Sequence, residues 1–319
     1  MPIFTDNASA SIGAWGENQF LRHIRDWLGD TAPAAPSGMG DDCSVTPLEG
    51  CNLLTTDSLL YGRHFDQHLP AEWAGMKLMN RNISDIAAMG GLPRFALLSG
   101  CFPAQTDQRW MEAFVAGLAK AARNHGIQIL GGDLAQTDKE WMATVTLIGN
   151  AESPLLRSGG SAGDSIWVTG ALGGSILGRH ARFEPRIEEG RLLAHSGRVK
   201  AAMDLSDGLA KDLPALIGHG LCAVIDPAAI PIHSDALRLS KESGRPPVEH
   251  AACDGEDYEL LFTVDKSVSE EDWQSAWSKS LKTPLHRIGR IETLAGQAPL
   301  IDAKTRQPFS WSDGYQHFR

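Results

Sequence analysis

The sequence predicts a two-domain protein of the α/β or α+β class. Three observations carry that class. The chain has 319 residues, about twice a common domain length of ~150 residues. Apolar residues at helical spacing alternate with short apolar runs in both halves. A turn-forming stretch near Asn150–Pro154 separates the halves, giving domains 1–150 and 151–319.

The elements follow in order. Phe20, Leu21, Ile24, Trp27 and Leu28 share one helical face, so the first helix spans Glu17–Leu28. Thr31–Gly40, rich in Pro, Ala and Gly, is a loop. Asn52–Thr56 reads as a buried strand. A long helix covers Ala71–Met89 and stops at Gly90-Gly91, with Pro93 just beyond. Thr106 is placed to cap a helix that turns Trp110, Phe114, Leu118 and Ala121 inward and ends at Gly126. Ile127–Leu130 is a strand leading into Gly131-Gly132-Asp133, and Trp141–Ile148 is another. Beyond the boundary, Ser165–Thr169 and Val199–Met203 read as strands. Ser206 is placed to cap a helix over Asp207–Ile217, bent by Pro214.

Composition narrows the function. Hydrophobic residues are 42% and charged residues 21%, which excludes a disordered or collagen-like chain. The formal net charge of -10 repels phosphate backbones and anionic lipid, so neither nucleic acid nor membrane is an expected partner. The first residues lack a basic stretch followed by an apolar core, and the five cysteines are scattered, so a cytoplasmic protein with reduced thiols is expected.

Three motif matches fail on chemistry. Gly173-Gly174-Ser175-Ile176-Leu177-Gly178-Arg179-His180 follows a strand like a phosphate loop, but lacks the Lys and the Ser/Thr that contact phosphate and metal. Gly159-Gly160-Ser161-Ala162-Gly163 precedes a strand instead of following one, so it reads as a turn. His64 and His68 are four apart, but Asp66 and Pro70 argue for a loop and no third ligand is spaced to help.

The informative signal is acidic. Gly40-Asp41-Asp42, Thr55-Thr56-Asp57, Asn82-Ile83-Ser84-Asp85, Gly131-Gly132-Asp133, Asp204-Leu205-Ser206-Asp207-Gly208 and Gly255-Glu256-Asp257 each place carboxylates at strand ends, turns or helix starts. Any one of them has a structural explanation as a turn or capping acid. Asp85, crowded by Ile83, Ile86, Ala87, Ala88 and Met89, is costly unless paired or metal-bound. Together the acids would repel one another and raise their pKa values. Magnesium removes that penalty, binding oxygen donors and completing its shell with water and substrate phosphate.

Those segments, with His64-Phe65, Ile86-Ala87-Ala88-Met89-Gly90, Arg157-Ser158-Gly159, Leu209, Tyr258-Glu259-Leu260 and Gly314-Tyr315-Gln316-His317-Phe318, resemble the thiamine-monophosphate kinase family in order along the chain. The resemblance implies an ATP-dependent enzyme making thiamine diphosphate from thiamine monophosphate. It implies N- and C-terminal domains like those of aminoimidazole ribonucleotide synthetase, and a homodimer paired through the N-terminal domains. Carried over, Asp42, Thr55, Thr56, Asp57, Asp85, Asp133, Asp204 and Asp207 are implied to ligate several Mg2+ ions, with Asp57, Asp85, Asp133 and Asp207 at the reaction centre. Gly132, Asp133, Arg157 and Ser206 are implied to contact ATP. His64, Glu256 and Tyr315 are implied to face thiamine monophosphate. Asp254, Leu134 and Phe183 depart from the family pattern, and the 174–180 stretch is shortened. Two other readings remain at this point: another ATP-using synthetase of the same superfamily, and a non-catalytic Mg-nucleotide binding protein.

Overall fold

The structure, a computed structural model, describes residues 2–33, 50–293 and 298–311. It divides into two compact units, 1–86 with 92–152, and 87–91 with 153–319.

In the first unit, β1 (Asn52–Leu60), β2 (Leu92–Pro103), β3 (Gln128–Thr137) and β4 (Met142–Asn150) form one sheet in the order β1-β4-β2-β3. β4 is antiparallel to β1 and β2, and β2 is parallel to β3. Two expectations change here. β1 runs on to Leu60, and Gly131-Gly132-Asp133 lies inside β3 and not at its end. The cause is pairing: β4 continues opposite Asp57–Leu60, and β2 meets Gly131, Gly132 and Asp133 with Leu97, Leu98 and Ser99. β2 itself was not legible, because its Pro93, Arg94 and Gly100 break the apolar pattern; the register shifts between Pro93 and Phe95.

Among the described residues, three α-helices belong to this unit: α1 (Gly16–Leu28), α2 (Ala71–Ala88) and α3 (Gln108–Asn124). α1 buries Phe20, Ile24 and Leu28 but leaves Leu21 43% exposed. α3 buries Trp110, Phe114, Leu118 and Ala121 as its spacing requires. Its cap is Asp107, not Thr106: Asp107 Oδ1 accepts from the N–H groups of Arg109 and Trp110, both at 2.9 Å, while the Thr106 hydroxyl donates to Pro103 O. α2 and α3 touch backbone to backbone. A Cβ on Gly75 would lie 1.9 Å from Phe114 O, and one on Gly117 would lie 2.0 Å from Glu72 O. Only glycine allows that approach.

In the second unit, β5 (Ser165–Thr169), β6 (Val199–Asp204), β7 (Leu221–Ile225), β8 (Leu260–Val264), β9 (Leu285–Thr293) and β10 (Leu300–Asp302) form a sheet in the order β10-β7-β9-β5-β8-β6. β10 and β7 are parallel, and the other described pairs are antiparallel. Its helices are α4 (Ile187–His195), α5 (Leu209–Leu216), α6 (Ser234–Ser243), α7 (Pro247–Cys253) and α8 (Glu270–Ser280). β8 is buried throughout and β5 and β7 are buried after their first residue, as strands covered on both faces are, whereas β9 keeps Arg287 and Arg290 exposed. Ile166 and Val168 pack with Leu205, Leu209 and Leu213, while Trp167 packs with Leu193, Phe262, Trp273 and Trp277. Trp311 stacks on Phe309 at 3.8 Å and packs against the first of these clusters. No described helix is long and apolar enough to cross a membrane.

Candidate active site

In the first unit, strand periodicity sorts the acids. Leu53, Thr55, Asp57 and Leu59 alternate along β1 on the face that carries buried Val145 of β4 and Leu98 of β2. α2 meets this face with two polar contacts one helical turn apart. Thr55 Oγ1 donates to Asp85 Oδ2 at 2.5 Å, and Arg81 reaches Asp57 Oδ1 at 3.5 Å. Arg81 also donates to Ser58 O at 2.9 Å. Asp85 is half-buried, not enclosed, and its hydroxyl partner and an open side are what make it tolerable there. Arg81 is a residue that sequence reasoning missed; its spacing of four from Asp85 was the available signal.

Asp133 does not join this group. Across the sheet it lies level with Ser99, Thr144 and Ser58, on the opposite face from Thr55 and Asp57. Three strand spacings separate β1 from β3, about 14 Å. Thr56, whose hydroxyl meets that of Thr146 at 3.1 Å, also lies on the outer face. Gly132 takes the inner row, where a Cβ would sit 1.6 Å from Leu98 O. His64 closes a turn: its Nδ1 accepts the Leu60 N–H at 3.0 Å, and its carbonyl accepts from the buried Lys77 Nζ at 2.8 Å. Asp42, with Gly40 and Asp41, and Tyr315 lie outside the described residues.

In the second unit, the end of β6 and the segment leading into β8 carry the acids side by side. Asp204 is buried at the last position of β6. Ser206 O accepts the Glu256 N–H at 2.7 Å, and Leu205 O accepts the Tyr258 N–H at 2.8 Å. The two motifs are thereby stitched together, with Ser206, Asp207 and Glu256 in one neighbourhood. Lys211 reaches Asp207 Oδ2 at 2.5 Å. The Leu156 carbonyl accepts the Ala202 N–H at 2.9 Å, which runs the exposed Arg157 along the edge of β6.

Ser206 does not cap a helix from its side chain, and α5 begins two residues later than expected. Asp212 does that work from within the first turn. Its Oδ2 accepts the N–H groups of Asp207 and Gly208 at 3.0 and 3.1 Å. Burial pushes its carboxyl up to about 7, against those two hydrogen bonds.

The Glu256–Glu259 segment is strained and firmly held. Glu256 and Tyr258 both sit at φ 52, which costs a non-glycine residue about 1–3 kcal/mol. The 179–186 stretch supplies the opposing bonds. His180 Nδ1 lies 3.4 Å from Glu256, Arg179 contacts Asp257 at 2.7 Å, and Arg186 grips Glu259 in a fork at 2.6 and 2.7 Å. Phe183 stacks on Tyr258 at 4.0 Å, so the departure at that position has a packing role. Burial pushes the Asp257 carboxyl up to about 7, with Arg179 pulling the other way. The glycine stretch that resembles a phosphate loop spends its N–H groups here: Gly173 donates to Asp257 and Gly174 to Asp254, both at 2.9 Å. Asp254, Asp257, Glu259, Arg179 and Arg186 are scaffold residues that only the fold reveals.

The donors described are carboxylate and hydroxyl oxygens, a set that suits magnesium far better than zinc or copper. Among the described residues, no three His, Cys, Asp or Glu side chains converge as a ready metal cluster.

Comparison with known proteins gives this geometry a family. The model of the AIR synthase related protein N-terminal domain matches residues 40–151. The thiamine-monophosphate kinase of Rhodopirellula baltica is 35% identical over 286 residues, 86% of this chain and 89% of that protein. This chain belongs to the thiamine-monophosphate kinase family. The Salmonella typhimurium member is 32% identical over 329 residues, covering 96% of this chain and 99% of its own. Among solved structures, AaThiL complexed with AMPPCP and TMP is 29% identical and superposes with a TM-score of 0.73, covering 85% of this chain and 90% of that one. The fold expected from the resemblance, with N- and C-terminal domains of the aminoimidazole ribonucleotide synthetase type, is the fold of this family member.

Proposed function

We propose that this chain phosphorylates thiamine monophosphate to thiamine diphosphate with ATP, by direct in-line transfer, in the cytoplasm. The observation that carries the reading is its 35% identity with a thiamine-monophosphate kinase over 89% of that protein's length. The acceptor is a phosphate oxygen already ionised at neutral pH, so no general base is needed. The difficulty is bringing two polyanions together.

The chain's own groups address that difficulty. Asp57, Asp85 and Thr55 are the proposed Mg2+ ligands of the first unit's inner face, and Asp42 is a further proposed ligand. Thr56 and Asp133 serve the outer face. A magnesium ion holds its ligands at about 2.1 Å, and β1 and β3 are about 14 Å apart, so Asp57 and Asp133 act on different ions. Asp204 and Asp207 are the proposed ligands of the second unit. Bound magnesium would neutralise phosphate charge and align the γ-phosphoryl group. Gly132, Asp133, Arg157 and Ser206 are assigned to ATP. Arg157 is exposed, with no protein partner among the described residues, which leaves its guanidinium available to phosphate. His64, Glu256 and Tyr315 are assigned to thiamine monophosphate. Glu256, held rigidly by its neighbours, offers a carboxylate suited to the cationic thiazolium. Arg81 and Lys211, paired to Asp57 and Asp207, hold positive charge beside those acids.

Domain 1–150 is proposed to carry ATP, Mg2+ and the dimer contact, and 151–319 to complete the ATP and substrate sites. Two copies pair through the outer face of the first-unit sheet, where Leu54 is 70% and Leu97 39% exposed. The deciding experiment is incubation with ATP, Mg2+ and thiamine monophosphate, followed by chromatography. Thiamine diphosphate should form, and EDTA should abolish it. Its absence under all metal conditions would sink the proposal. A chiral γ-thiophosphate should give inverted configuration at phosphorus; retention would replace direct transfer by a phosphorylated enzyme.

A further inference from the structure

Ser243, His250 and Asp254 form a hydrogen-bonded chain in the second unit, where α6 hands over to α7. None of the three is assigned above to ATP, Mg2+ or thiamine monophosphate.

Local sequence fixes the arrangement. Ser243 is the last residue of α6, and Gly244 ends that helix at φ 74, a conformation glycine adopts freely. Ser240 Oγ donates to Arg245 O at 2.7 Å, and Pro246 and Pro247 open α7. The connection is therefore short and stiff. It brings the exposed Ser243 to His250, which is 3% exposed on α7. Asp254 follows His250 at a spacing of four, so the two side chains meet along one helix face.

The hydrogen bonds run in one direction. The Arg245 N–H donates to Ser243 Oγ at 3.2 Å, which leaves the hydroxyl proton for another acceptor. Ser243 Oγ lies 2.8 Å from His250 Nε2. His250 Nδ1 lies 2.9 and 3.0 Å from the two Asp254 oxygens, and a carboxylate only accepts. Nδ1 therefore carries the imidazole proton, and Nε2 accepts from the serine. Asp254 is itself fixed by the Gly174 N–H at 2.9 Å. Arg245 Nε lies 3.4 Å from Glu249 and Nη1 3.7 Å from Asp254, while Nη2 has no partner among the described residues.

We propose that Ser243 is a nucleophile that takes acyl groups from small esters, with His250 as its general base and Asp254 as the residue that positions the imidazole. A hydroxyl within reach of a base, and a base oriented by a third group, is the arrangement that activates serine. As the bond from Oγ to the carbonyl carbon forms, the hydroxyl proton passes to His250 Nε2. Collapse of the tetrahedral adduct breaks the ester C–O bond, and the leaving alcohol takes that proton. Water then adds to the acyl-serine by the same route, releasing the acid and restoring the hydroxyl. Arg245 Nη2 is the donor available to the oxyanion. Because Ser243 is exposed, binding supplies little of the rate, so the substrate class is esters with a good leaving group, such as aryl esters.

The test uses the full chain and diisopropyl fluorophosphate, with each labelled serine located by mass spectrometry after digestion. The probe forms an Oγ–P bond and expels fluoride, so it reads the same nucleophile. Ser269 is the internal reference: it is exposed and donates to the Asp272 carboxylate at 2.6 Å, with no imidazole in the bond. Ser243 should label about a hundredfold faster than Ser269, and His250→Gln should remove that advantage. Phenyl acetate should acetylate Ser243 with the same dependence on His250. ¹⁵N spectra should place the neutral His250 proton on Nδ1, and Asp254→Asn, whose amide donates, should move it to Nε2. Equal labelling of Ser243 and Ser269 would overturn the proposal whether or not the His250 variant folds. A neutral wild-type His250 protonated at Nε2 would overturn it as well, and a tautomer unmoved by Asp254→Asn would remove Asp254 from it.

Discussion

Asp212 makes the stability of the second unit fall as pH rises, and Asp212→Asn should remove that fall. Asp212 is 5% exposed and its carboxyl pKa stands at about 7 in the folded protein, against about 3.9 in an unfolded chain. The folded state therefore holds a proton that the unfolded state releases. That contribution is fully present below about pH 4 and is lost as pH rises through 7. Three units correspond to about 4 kcal/mol as an upper bound, and about 3 kcal/mol of it falls between pH 5 and pH 8. Asparagine is nearly isosteric, and both capping bonds end on the single oxygen Oδ2, so an amide oxygen replaces it without a charge. Urea unfolding of wild type and Asp212→Asn at pH 5 and pH 8, in EDTA so that no divalent ion sits at Asp207, measures the difference. The variant should match wild type at pH 5 to within about 1 kcal/mol and exceed it by 2–3 kcal/mol at pH 8. Asp212→Ala, which loses the cap, should be weaker at pH 5 by about 1–2 kcal/mol. An Asn-minus-wild-type difference that is the same at both pH values would refute the burial argument.

Asp85→Asn should lower turnover by about a hundredfold or more with little change in melting temperature, because the amide oxygen still accepts from Thr55; near-normal turnover at saturating Mg2+ would make Asp85 a purely structural partner. Arg157→Ala should raise the KM for ATP and leave that for thiamine monophosphate unchanged, and the reverse pattern in steady-state kinetics would move Arg157 to the other substrate. Gly117→Ala should cost about 1–3 kcal/mol in urea unfolding, since its Cβ would lie 2.0 Å from Glu72 O; a neutral result would mean that α2 and α3 separate freely. Leu54→Asp with Leu97→Asp should convert a dimer to a monomer in sedimentation equilibrium, and an unchanged mass would exclude the outer sheet face as the contact.

Local chemistry made much of this protein legible in its sequence. The 3.6-residue spacing of Trp110, Phe114 and Leu118 placed a helix and its buried face, because side-chain direction on a helix follows from backbone geometry alone. The apolar run of Ser165–Thr169 marked a strand with the bounds the structure has. The order of the acid motifs along the chain was enough to identify the family. What sequence could not supply was pairing. Whether Asp57 and Asp133 share a face depends on the register of β1, β4, β2 and β3, and a shift of one residue would reverse the answer. That Gly131-Gly132-Asp133 continues a strand depends on β2, a segment whose own pattern is broken by Pro93. The cap of α5 comes from Asp212 inside the helix, because the chain before it is already bound to the Glu256 segment through Ser206 O. The side chains that hold Glu256, Asp257 and Glu259 come from residues 179–186, some 70 to 80 positions away. Motifs state which groups are present, through interactions that act over a few residues. Only long-range hydrogen bonding, which closes loops across the chain at an entropic cost that core packing offsets, decides which of those groups meet.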